Sequence, residues 1–284
     1  MSSIQNLFLK GRTLLGRIPH ADPALESRLL LQKAAGLSEK EFLTSPDWPV
    51  PVRAERLFLK MVARRLARIP LCYLTGEKEF WSIPLVVFPG VFIPRPESEL
   101  LVEKVLELSN KRDEVIVDIG TGSGNIAIAL ARELPRARII GVDISRRALK
   151  AARLNAERYK TTSIVFSEGN AFYGLRKFAT RSEADFIVSN PPYVSLAGWQ
   201  GLEPEIRRFE PKRALVSGAT GYEFIRRLIK GASFYLKPGG YLLFEIGQGQ
   251  AGSASSLFDS RGWRDIRTYA DIRGIPRVVA ARKT

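Results

Sequence analysis

Asn190, Pro191, Pro192 and Tyr193 stand in a row and combine side chains that suit chemistry on a flat, nitrogen-bearing group. An asparagine amide offers one acceptor oxygen and two N–H donors, so Asn190 can hold a planar amide or amino group. Proline fixes φ and donates no hydrogen bond, so the two prolines expose backbone carbonyls that accept further N–H bonds. Because the lone pair of a planar nitrogen is delocalised, holding that nitrogen in line with an electrophile favours reaction. A purely structural Pro-Pro turn would not account for Asn190 and Tyr193, and we therefore identify all four as candidate catalytic residues.

A glycine-rich loop at 120–124 is the candidate cofactor site, and it follows an apolar run that is typical of a buried strand. Glycines let the backbone turn tightly and bring a ligand against peptide N–H groups. A dinucleotide-binding loop has the spacing G-x-G-x-x-G, whereas this loop reads G-x-G-x-G with Asp118 two positions ahead. A carboxylate there suits a cationic ligand such as S-adenosylmethionine, which carries a sulfonium and an ammonium group. The predicted cofactor-binding residues of this segment are Asp118, Gly120, Thr121, Gly122, Ser123 and Gly124.

Two later segments extend this candidate site. Asp143 ends the next apolar run, at a distance from the loop close to the roughly 20 residues that separate a glycine loop from a ribose-binding acid. Asn170 and Ala171 follow a third run, where we expect the adenine edge of the cofactor. Together with the loop, these residues predict a nucleoside-bearing cofactor, S-adenosylmethionine.

Short apolar runs alternate with helical patterns in the part of the chain that carries these residues. The predicted strands are Val115–Ile119, 139–143, 164–166, 186–189 and 241–246, and the predicted helices are Asn125–Glu133, 145–157 and 222–234. Such alternation favours an α/β fold with an open, mostly parallel, doubly wound sheet. The candidate residues lie at the carboxyl ends of predicted strands or in the segments that follow them, so the sheet would bring them to one edge.

The first 75 residues have a different pattern, typical of a small helical domain. Asp22 followed by Pro23 predicts a helix start, and Gly36 predicts the end of that helix. Ser38 with Glu41 three residues later has the form of a capping box. Two β-like runs at 78–83 and 84–88 then predict a hairpin that connects the domains.

Composition excludes several kinds of chemistry. The 284 residues include one cysteine and one histidine, Cys72 and His20. An internal disulfide and a cysteine-based zinc site are therefore excluded, and we predict no metal. There are 44 basic and 29 acidic residues, a formal charge of +15. This balance leaves open an acidic protein partner, a nucleic acid, or a solvated basic surface without a specific partner.

The sequence resembles the release factor glutamine methyltransferases, the PrmC/HemK family, over nearly its whole length. The Asn-Pro-Pro-Tyr element is shared with other methyltransferases that act on planar nitrogen, including DNA adenine enzymes. Further similar segments are 68–71 (Arg-Ile-Pro-Leu), 73–76 (Tyr-Leu-Thr-Gly), 79–81 (Glu-Phe-Trp), 91–100 (Val-Phe-Ile-Pro-Arg-Pro-Glu-Ser-Glu-Leu), Tyr222, 237–240 (Lys-Pro-Gly-Gly), 245–247 (Glu-Ile-Gly) and Gln250.

The resemblance implies a Rossmann-like, seven-stranded class I methyltransferase sheet with an N-terminal all-helical domain. Residues 1–75 would recognise the substrate, and 76–284 would form the methyltransferase domain, with 76–97 as the hairpin connector. The implied reaction is N5-methylation of the glutamine in the Gly-Gly-Gln loop of class I release factors, which modulates translation termination. The loop 120–124 and Asp143 would bind S-adenosylmethionine, Asn190 would contact both cofactor and glutamine, and the next three residues would complete the glutamine pocket. We further expect a cytoplasmic monomer that binds neither membrane nor nucleic acid.

Two positions depart from the pattern of the family, and two alternative activities stay open. Asn170-Ala171 replaces an acidic-then-bulky pair, and Ser98 stands where threonine is commoner. A ribosomal-protein glutamine methyltransferase is the nearer alternative, although its sequence usually lacks the Pro-Glu-Ser-Glu seen at 96–99. A DNA adenine N6-methyltransferase is the other, and it would need a DNA-recognition segment that the N-terminal helices do not resemble.

Overall fold

The computed structural model describes residues 1–110, 113–175 and 182–284, and the chain divides into two compact units. The helical unit comprises Met1–Glu77 and Pro204–Phe209. The sheet unit comprises Lys78–Glu203 and Glu210–Thr284. Within the described ranges, no helix has the length and apolar character needed to cross a membrane.

Helices and strands occur in the order that their numbering gives. The α-helices are α1 (Ile4–Leu15), α2 (Pro23–Ala35), α3 (Glu39–Thr44), α4 (Val52–Leu66), α5 (Leu71–Thr75), α6 (Glu99–Leu108), α7 (Asn125–Glu133), α8 (Arg146–Arg158), α9 (Leu196–Gly201), α10 (Pro204–Phe209), α11 (Glu223–Tyr235) and α12 (Ala251–Ser255). The strands are β1 (Glu77–Phe80), β2 (Ile83–Val86), β3 (Val115–Ile119), β4 (Arg138–Asp143), β5 (Ile164–Glu168), β6 (Ala184–Ser189), β7 (Leu236–Glu245), β8 (Trp263–Ala270) and β9 (Pro276–Lys283).

The ends of the first helices follow from local sequence, as predicted. The Asp22 side chain accepts hydrogen bonds from two backbone N–H groups at the start of α2, and Pro23 occupies its first turn. Gly36 ends α2 in the left-handed conformation, with φ of 67°, which glycine adopts without the steric cost that a Cβ atom brings. Ser38 and Glu41 form the capping box of α3 in both directions.

A buried ion pair lies beside the apolar core of the helical unit. Leu30 and Phe58 are fully buried between α1, α2 and α4. Beside them, the Arg65 guanidinium donates to both carboxylate oxygens of Glu26, at 2.8 and 3.0 Å. Arg65 also lies 3.0 Å from the carboxylate of Glu205 on α10. This late segment therefore belongs to the helical unit, an arrangement that the sequence pattern did not predict.

The predicted hairpin is present, but its turn lies earlier than predicted. β1 and β2 form a two-stranded sheet, and Trp81 and Ser82 between them have φ values of 52° and 56°. Two consecutive left-handed residues are typical of a type I′ turn. The predicted run 78–83 was therefore wrong to continue through this turn. Neither turn residue is the glycine or asparagine that usually indicates such a turn, so composition gave no signal.

The sheet unit contains a seven-stranded sheet with the order β5-β4-β3-β6-β7-β9-β8. Neighbours from β5 to β7 pair in parallel, and β9 pairs antiparallel with both β7 and β8. The predicted α/β fold with a mostly parallel, doubly wound sheet is confirmed. Alternate residues of β3 and β4 enter two separate apolar clusters, one on each face of the sheet. The last two strands had no predicted counterpart.

Candidate active site

A cavity of about 570 Å³ lies at the carboxyl ends of β3, β4 and β6. In the strand order, β4 lies on one side of β3 and β6 on the other, so the chain reverses its direction of winding at this point. Ligands of open α/β sheets bind at such a switch point. The predicted site residues on the cavity wall are Gly120, Gly122, Ser123, Asp143, Asn170, Ala171, Asn190 and Pro192. The others lie outside its lining: Asp118, Thr121, Gly124, Pro191 and Tyr193.

The glycine loop 120–124 turns sharply between β3 and α7. Gly120, Gly122 and Gly124 all have positive φ, between 57° and 81°, a conformation that a side chain would strain. The backbone N–H groups of Gly120 and Thr121 both donate to the carbonyl of Val142, at 2.8 and 2.9 Å. These bonds hold the loop against the end of β4. A Cβ atom at Gly124 would lie 3.1 Å from Ile128 and 3.2 Å from Ala152, so close helix packing adds to the need for glycine.

Asp118 is fully buried beneath this loop and has no direct opening to the cavity. Its Oδ2 accepts a hydrogen bond of 2.7 Å from the Thr121 hydroxyl. Its Oδ1 makes no hydrogen bond of good geometry, although the backbone N–H of Ala127 faces the carboxylate. Burial raises the pKa of Asp118 to about 7, and the nearby charge of Asp143 acts in the same direction. In this position the carboxylate of Asp118 fixes the loop through its hydrogen bond with Thr121.

Asp143 lies on the cavity wall and ties two loops together. One carboxylate oxygen accepts from the backbone N–H of Gly122 at 2.9 Å, and the other accepts from the N–H of Ser145 at 2.8 Å. Burial raises the pKa of Asp143, while these backbone hydrogen bonds lower it. The side chain is half-buried and borders the cavity. A carboxylate placed there can accept hydrogen bonds from the two hydroxyl groups of a ribose.

Ser123 of the glycine loop is held in place by a hydrogen bond from Asn155. The Ser123 hydroxyl is buried at the cavity wall without a hydrogen-bond partner within the described ranges. The fully buried amide of Asn155 donates to the carbonyl of Ser123 at 3.0 Å and to that of Val86 at 3.1 Å. Sequence reasoning missed Asn155, because a single asparagine within a helical pattern gives no sign of its partners.

Asn170 and Ala171 border the cavity after β5, as the predicted adenine edge requires. The N–H of Gly169 donates to the carbonyl of Asp143 at 3.0 Å, so this segment lies beside the end of β4. Ala171 has a φ of 50°, a left-handed conformation that is uncommon for alanine. Adenine contacts at these two residues remain a prediction.

The segment 190–193 begins where β6 ends and is held on both sides. Ser189 anchors it, since its hydroxyl donates to the carbonyl of Ile119 on β3 at 2.7 Å. The Nδ2 atom of Asn190 donates to the Ser98 hydroxyl at 2.8 Å. In the part of the chain that the structure describes, Oδ1 of Asn190 has no hydrogen-bond partner. Asn190 therefore borders the cavity with one amide atom fixed and its acceptor oxygen available.

Tyr193 lies behind this segment and contacts a buried carboxylate. Its hydroxyl donates to Glu245 at 3.2 Å, and its backbone carbonyl accepts from the Gln250 amide at 2.9 Å. Burial raises the pKa of Tyr193, and the negative charge of Glu245 raises it further. The same carboxylate accepts a hydrogen bond of 2.5 Å from Ser98. Glu245 thus connects the residues on either side of Asn190.

Sequence reasoning gave no chemical role to the acidic residues of the segment 96–99 or to Glu245. The structure pairs Glu97 with Arg273 at 3.0 Å, and Glu99 accepts from the backbone N–H of Trp81 at 2.8 Å. Glu245 could have been noticed, because it is an acidic residue at the carboxyl end of an apolar run. Its partner Ser98 is 147 residues away in sequence, and no local pattern indicates that pairing.

Comparison with known proteins identifies the family. Residues 6–76 match the PrmC N-terminal domain, and residues 86–200 match the Methyltransferase small domain. A release factor glutamine methyltransferase of Geobacter sulfurreducens is 40% identical over 260 residues, which cover 91% of this chain and 89% of that protein. The same enzyme of Koribacter versatilis is 38% identical over 263 residues, which cover 92% and 91%. The chain belongs to the release factor glutamine methyltransferase family.

The fold of this family member also matches a solved structure at low sequence identity. A methyltransferase from Pyrococcus furiosus superposes with a TM-score of 0.54 and 18% identity, over 78% of this chain and 98% of the other. A similarity of this kind concerns the fold alone. It agrees with the observed seven-stranded sheet and with the predicted class I methyltransferase architecture.

The residues that line the cavity of this family member fit a nucleoside-bearing ligand. Asp143 presents carboxylate oxygens to the cavity, and the buried Ser123 hydroxyl has spare hydrogen-bonding capacity. Gly120 and Gly122 leave their backbone without side chains where a ligand would approach. Among the described residues, no cluster of histidine, cysteine or acidic side chains has the arrangement of a metal site.

Proposed function

We propose that this protein transfers a methyl group from S-adenosylmethionine to the side-chain nitrogen of a glutamine in a class I release factor. The substrate glutamine would be that of the Gly-Gly-Gln loop. The observation that carries the proposal is the position of Asn190. Its amide is fixed by a hydrogen bond and borders the same cavity as Asp143 and the glycine loop. An acceptor for a planar amide would therefore lie next to the site that we propose for the nucleoside cofactor.

The cofactor site would be formed by the loop 120–124, Asp143 and the segment around Asn170. S-adenosylmethionine, when bound, supplies a methyl group on a positively charged sulfur that leaves as a neutral thioether. Asp143 would accept hydrogen bonds from the ribose hydroxyls, and Asn170 with Ala171 would border the adenine. Asp118 would act indirectly, because it is buried and reaches the loop through Thr121. This role differs from the direct cation contact that its sequence position suggests.

The chemical step would depend on how the chain holds the glutamine amide. Oδ1 of Asn190 would accept one N–H bond of that amide, and the carbonyl of Pro191 would accept the other. These two acceptors orient the weakly nucleophilic nitrogen and stabilise its N–H groups as positive charge develops on them. Pro192 lines the cavity, and we propose that Tyr193 completes the pocket wall. One N–H proton is lost from the nitrogen once it carries the methyl group, so no strong base is needed beforehand.

We also propose that two parts of the chain have different roles, one in substrate recognition and one in catalysis. Residues 1–75 would recognise the release factor, and residues 76–284 would hold the cofactor and carry out the transfer, with 76–97 as connector. The protein would act as a monomer in the cytoplasm, without direct binding to nucleic acid or membrane. The net charge of +15 would assist its encounter with an acidic protein surface.

A comparison of candidate substrates tests this proposal. The purified protein is incubated with methyl-labelled S-adenosylmethionine and, separately, with a class I release factor, ribosomal proteins, or duplex DNA. Label is expected on the release factor and not on a control release factor whose Gly-Gly-Gln glutamine is replaced by alanine. Label on a ribosomal protein or on DNA alone would overturn the proposal in favour of that substrate class.

A further inference from the structure

A continuous chain of hydrogen bonds runs from the reactive edge of the cavity into the protein interior. Asn190 donates from Nδ2 to the Ser98 hydroxyl at 2.8 Å, and Ser98 donates to Glu245 at 2.5 Å. Tyr193 donates to the second carboxylate oxygen of Glu245 at 3.2 Å. Ser98 is fully buried and Glu245 is 1% exposed. The hydrogen bond between Ser98 and Glu245 is therefore shielded from water, and these two groups can satisfy one another only in particular orientations.

The direction of these hydrogen bonds determines which amide atom of Asn190 faces the cavity. An ionised carboxylate only accepts hydrogen bonds, so the single proton of the Ser98 hydroxyl must point to Glu245. The Ser98 oxygen can then only accept from its other neighbour, and Asn190 must present Nδ2 to it. The amide is planar, so Oδ1 lies on the opposite side, where it has no protein partner among the described residues.

We propose that Ser98 and Glu245 are positioning residues that orient the Asn190 amide so that Oδ1, rather than Nδ2, meets the substrate amide. This inference rests on the proposed glutamine methylation and specifies how its substrate is aligned. With Nδ2 in that place, a donor would face the N–H groups of the glutamine, and alignment would be lost. Neither positioning residue touches the substrate, and both act through Asn190.

The protonation state of Glu245 should control this orientation. Burial raises the pKa of Glu245 to about 7, while the hydrogen bonds from Ser98 and Tyr193 lower it. The charged groups acting on it are Glu97, which raises the pKa, and Arg277, which lowers it. A protonated Glu245 can donate to Ser98, whose own proton can then turn to Asn190. The Asn190 amide would rotate in response, and Nδ2 would face the cavity.

Two substitutions of Ser98 distinguish an effect on the orientation of the Asn190 amide from an effect on the packing around Ser98. Ser98→Ala removes the hydroxyl, whereas Ser98→Thr keeps it and adds a methyl group. We expect Ser98→Ala to lower kcat about 10- to 100-fold, the size of effect that loss of a hydrogen bond to a charged group produces. The KM for S-adenosylmethionine should stay near its wild-type value, and Ser98→Thr should restore kcat. Equal loss in both variants, or no loss in Ser98→Ala, would overturn the positioning role.

The pH profile gives a readout that a merely structural role would not change. In the wild type, kcat should fall as pH decreases through about 7, because Glu245 gains a proton. Glu245→Gln removes the titrating carboxylate, so its lower kcat should lose the part of this limb that Glu245 causes, while any part due to Asp118, whose pKa is also about 7, should remain. If Glu245→Gln retains both the wild-type rate and the wild-type acid limb, the proposal is wrong.

Nuclear magnetic resonance tests the orientation without any turnover. The side-chain N–H signals of Asn190, identified by their absence in Asn190→Ala, should titrate near pH 7 in the wild type and not in Glu245→Gln. Signals that are constant with pH in the wild type would overturn the proposal. If the titration is found but no release factor is methylated, the proposed function fails while the orienting chain stands.

Discussion

The carboxylate of Asp143 accepts a hydrogen bond from the backbone N–H of Gly122 at 2.9 Å, which joins the end of β4 to the loop after β3. The same side chain caps the start of the next loop through the N–H of Ser145. One residue thus shapes two neighbouring backbone segments of the cavity. Its carboxylate oxygens can accept further hydrogen bonds from the cavity, where we propose that the ribose of the cofactor binds.

Asp143→Ala should weaken the binding of S-adenosylmethionine by about tenfold or more, since hydrogen bonds to charged groups are the strong ones. Titration calorimetry measures this affinity. Glu168→Gln is a matched control, because Glu168 pairs with Asp143 in the sheet register but its exposed carboxylate contacts Arg146. We expect normal affinity in the control. Equal affinity in wild type and Asp143→Ala would remove Asp143 from the cofactor site.

Asn190→Ala should abolish methyl transfer while reducing cofactor affinity much less. The variant loses the acceptor oxygen for the substrate amide, and Ser98 loses its donor. Single-turnover rates and calorimetry on the same preparation separate the two effects. A rate within a few fold of wild type would show that Asn190 does not orient the reacting nitrogen.

Stability should depend on pH through the buried carboxylate of Asp118. Its pKa rises from 3.8 to about 7 on burial, so the folded state binds a proton that the unfolded state releases. The resulting stabilisation is complete below about pH 4 and is lost as pH rises through about 7. The amide that Asp118→Asn introduces does not titrate. Relative to wild type, the variant should therefore gain stability with rising pH, by up to about 4 kcal/mol between pH 4 and 8.

Urea unfolding of both proteins without cofactor, at several pH values, checks this prediction. Glu245 titrates in the same range, but it is present in both proteins and cancels in the difference. A difference in free energy of unfolding that does not change with pH would mean that Asp118 has an ordinary pKa in the fold.

Removal of Glu26 should destabilise the helical unit far more than removal of an exposed acid. Glu26→Ala leaves the buried guanidinium of Arg65 with Glu205 as its remaining carboxylate partner, which should cost about 3 kcal/mol. Glu39→Ala is the control, because the Glu39 side chain in the Arg28–Glu39 pair is exposed and the pair should contribute less than about 1 kcal/mol. Hydrogen exchange of the amides in α2 and α4 reports the change. Equal protection in the two variants would contradict the prediction.

The features that sequence predicts well are those fixed by neighbouring residues. β3 and α7 have the predicted bounds, because glycines separate an apolar run from a helical pattern. The caps at Asp22 and Ser38 likewise depend only on the next few residues. Each of these features depends on residues that are only a few positions apart in the sequence.

The features that sequence did not reveal depend on contacts between distant segments. β8 exposes most of its residues, so it lacks the apolar run that indicates a buried strand. α10 is 6 residues long and joins the helical unit through Glu205. The link from Ser98 to Glu245 likewise forms only when the sheet brings the end of β7 to the residue before α6. Local sequence patterns do not predict contacts between segments that are so far apart.

The most direct test of the central claim is to locate the transferred methyl group within the release factor. The release factor is incubated with this protein and S-adenosylmethionine, digested, and sequenced by tandem mass spectrometry, with Asn190→Ala in parallel. We predict a single added methyl group on the side chain of the Gly-Gly-Gln glutamine with the wild type, and none with the variant. A methyl group on any other residue, or one placed equally by Asn190→Ala, would contradict the assignment of this cavity as a glutamine methylation site.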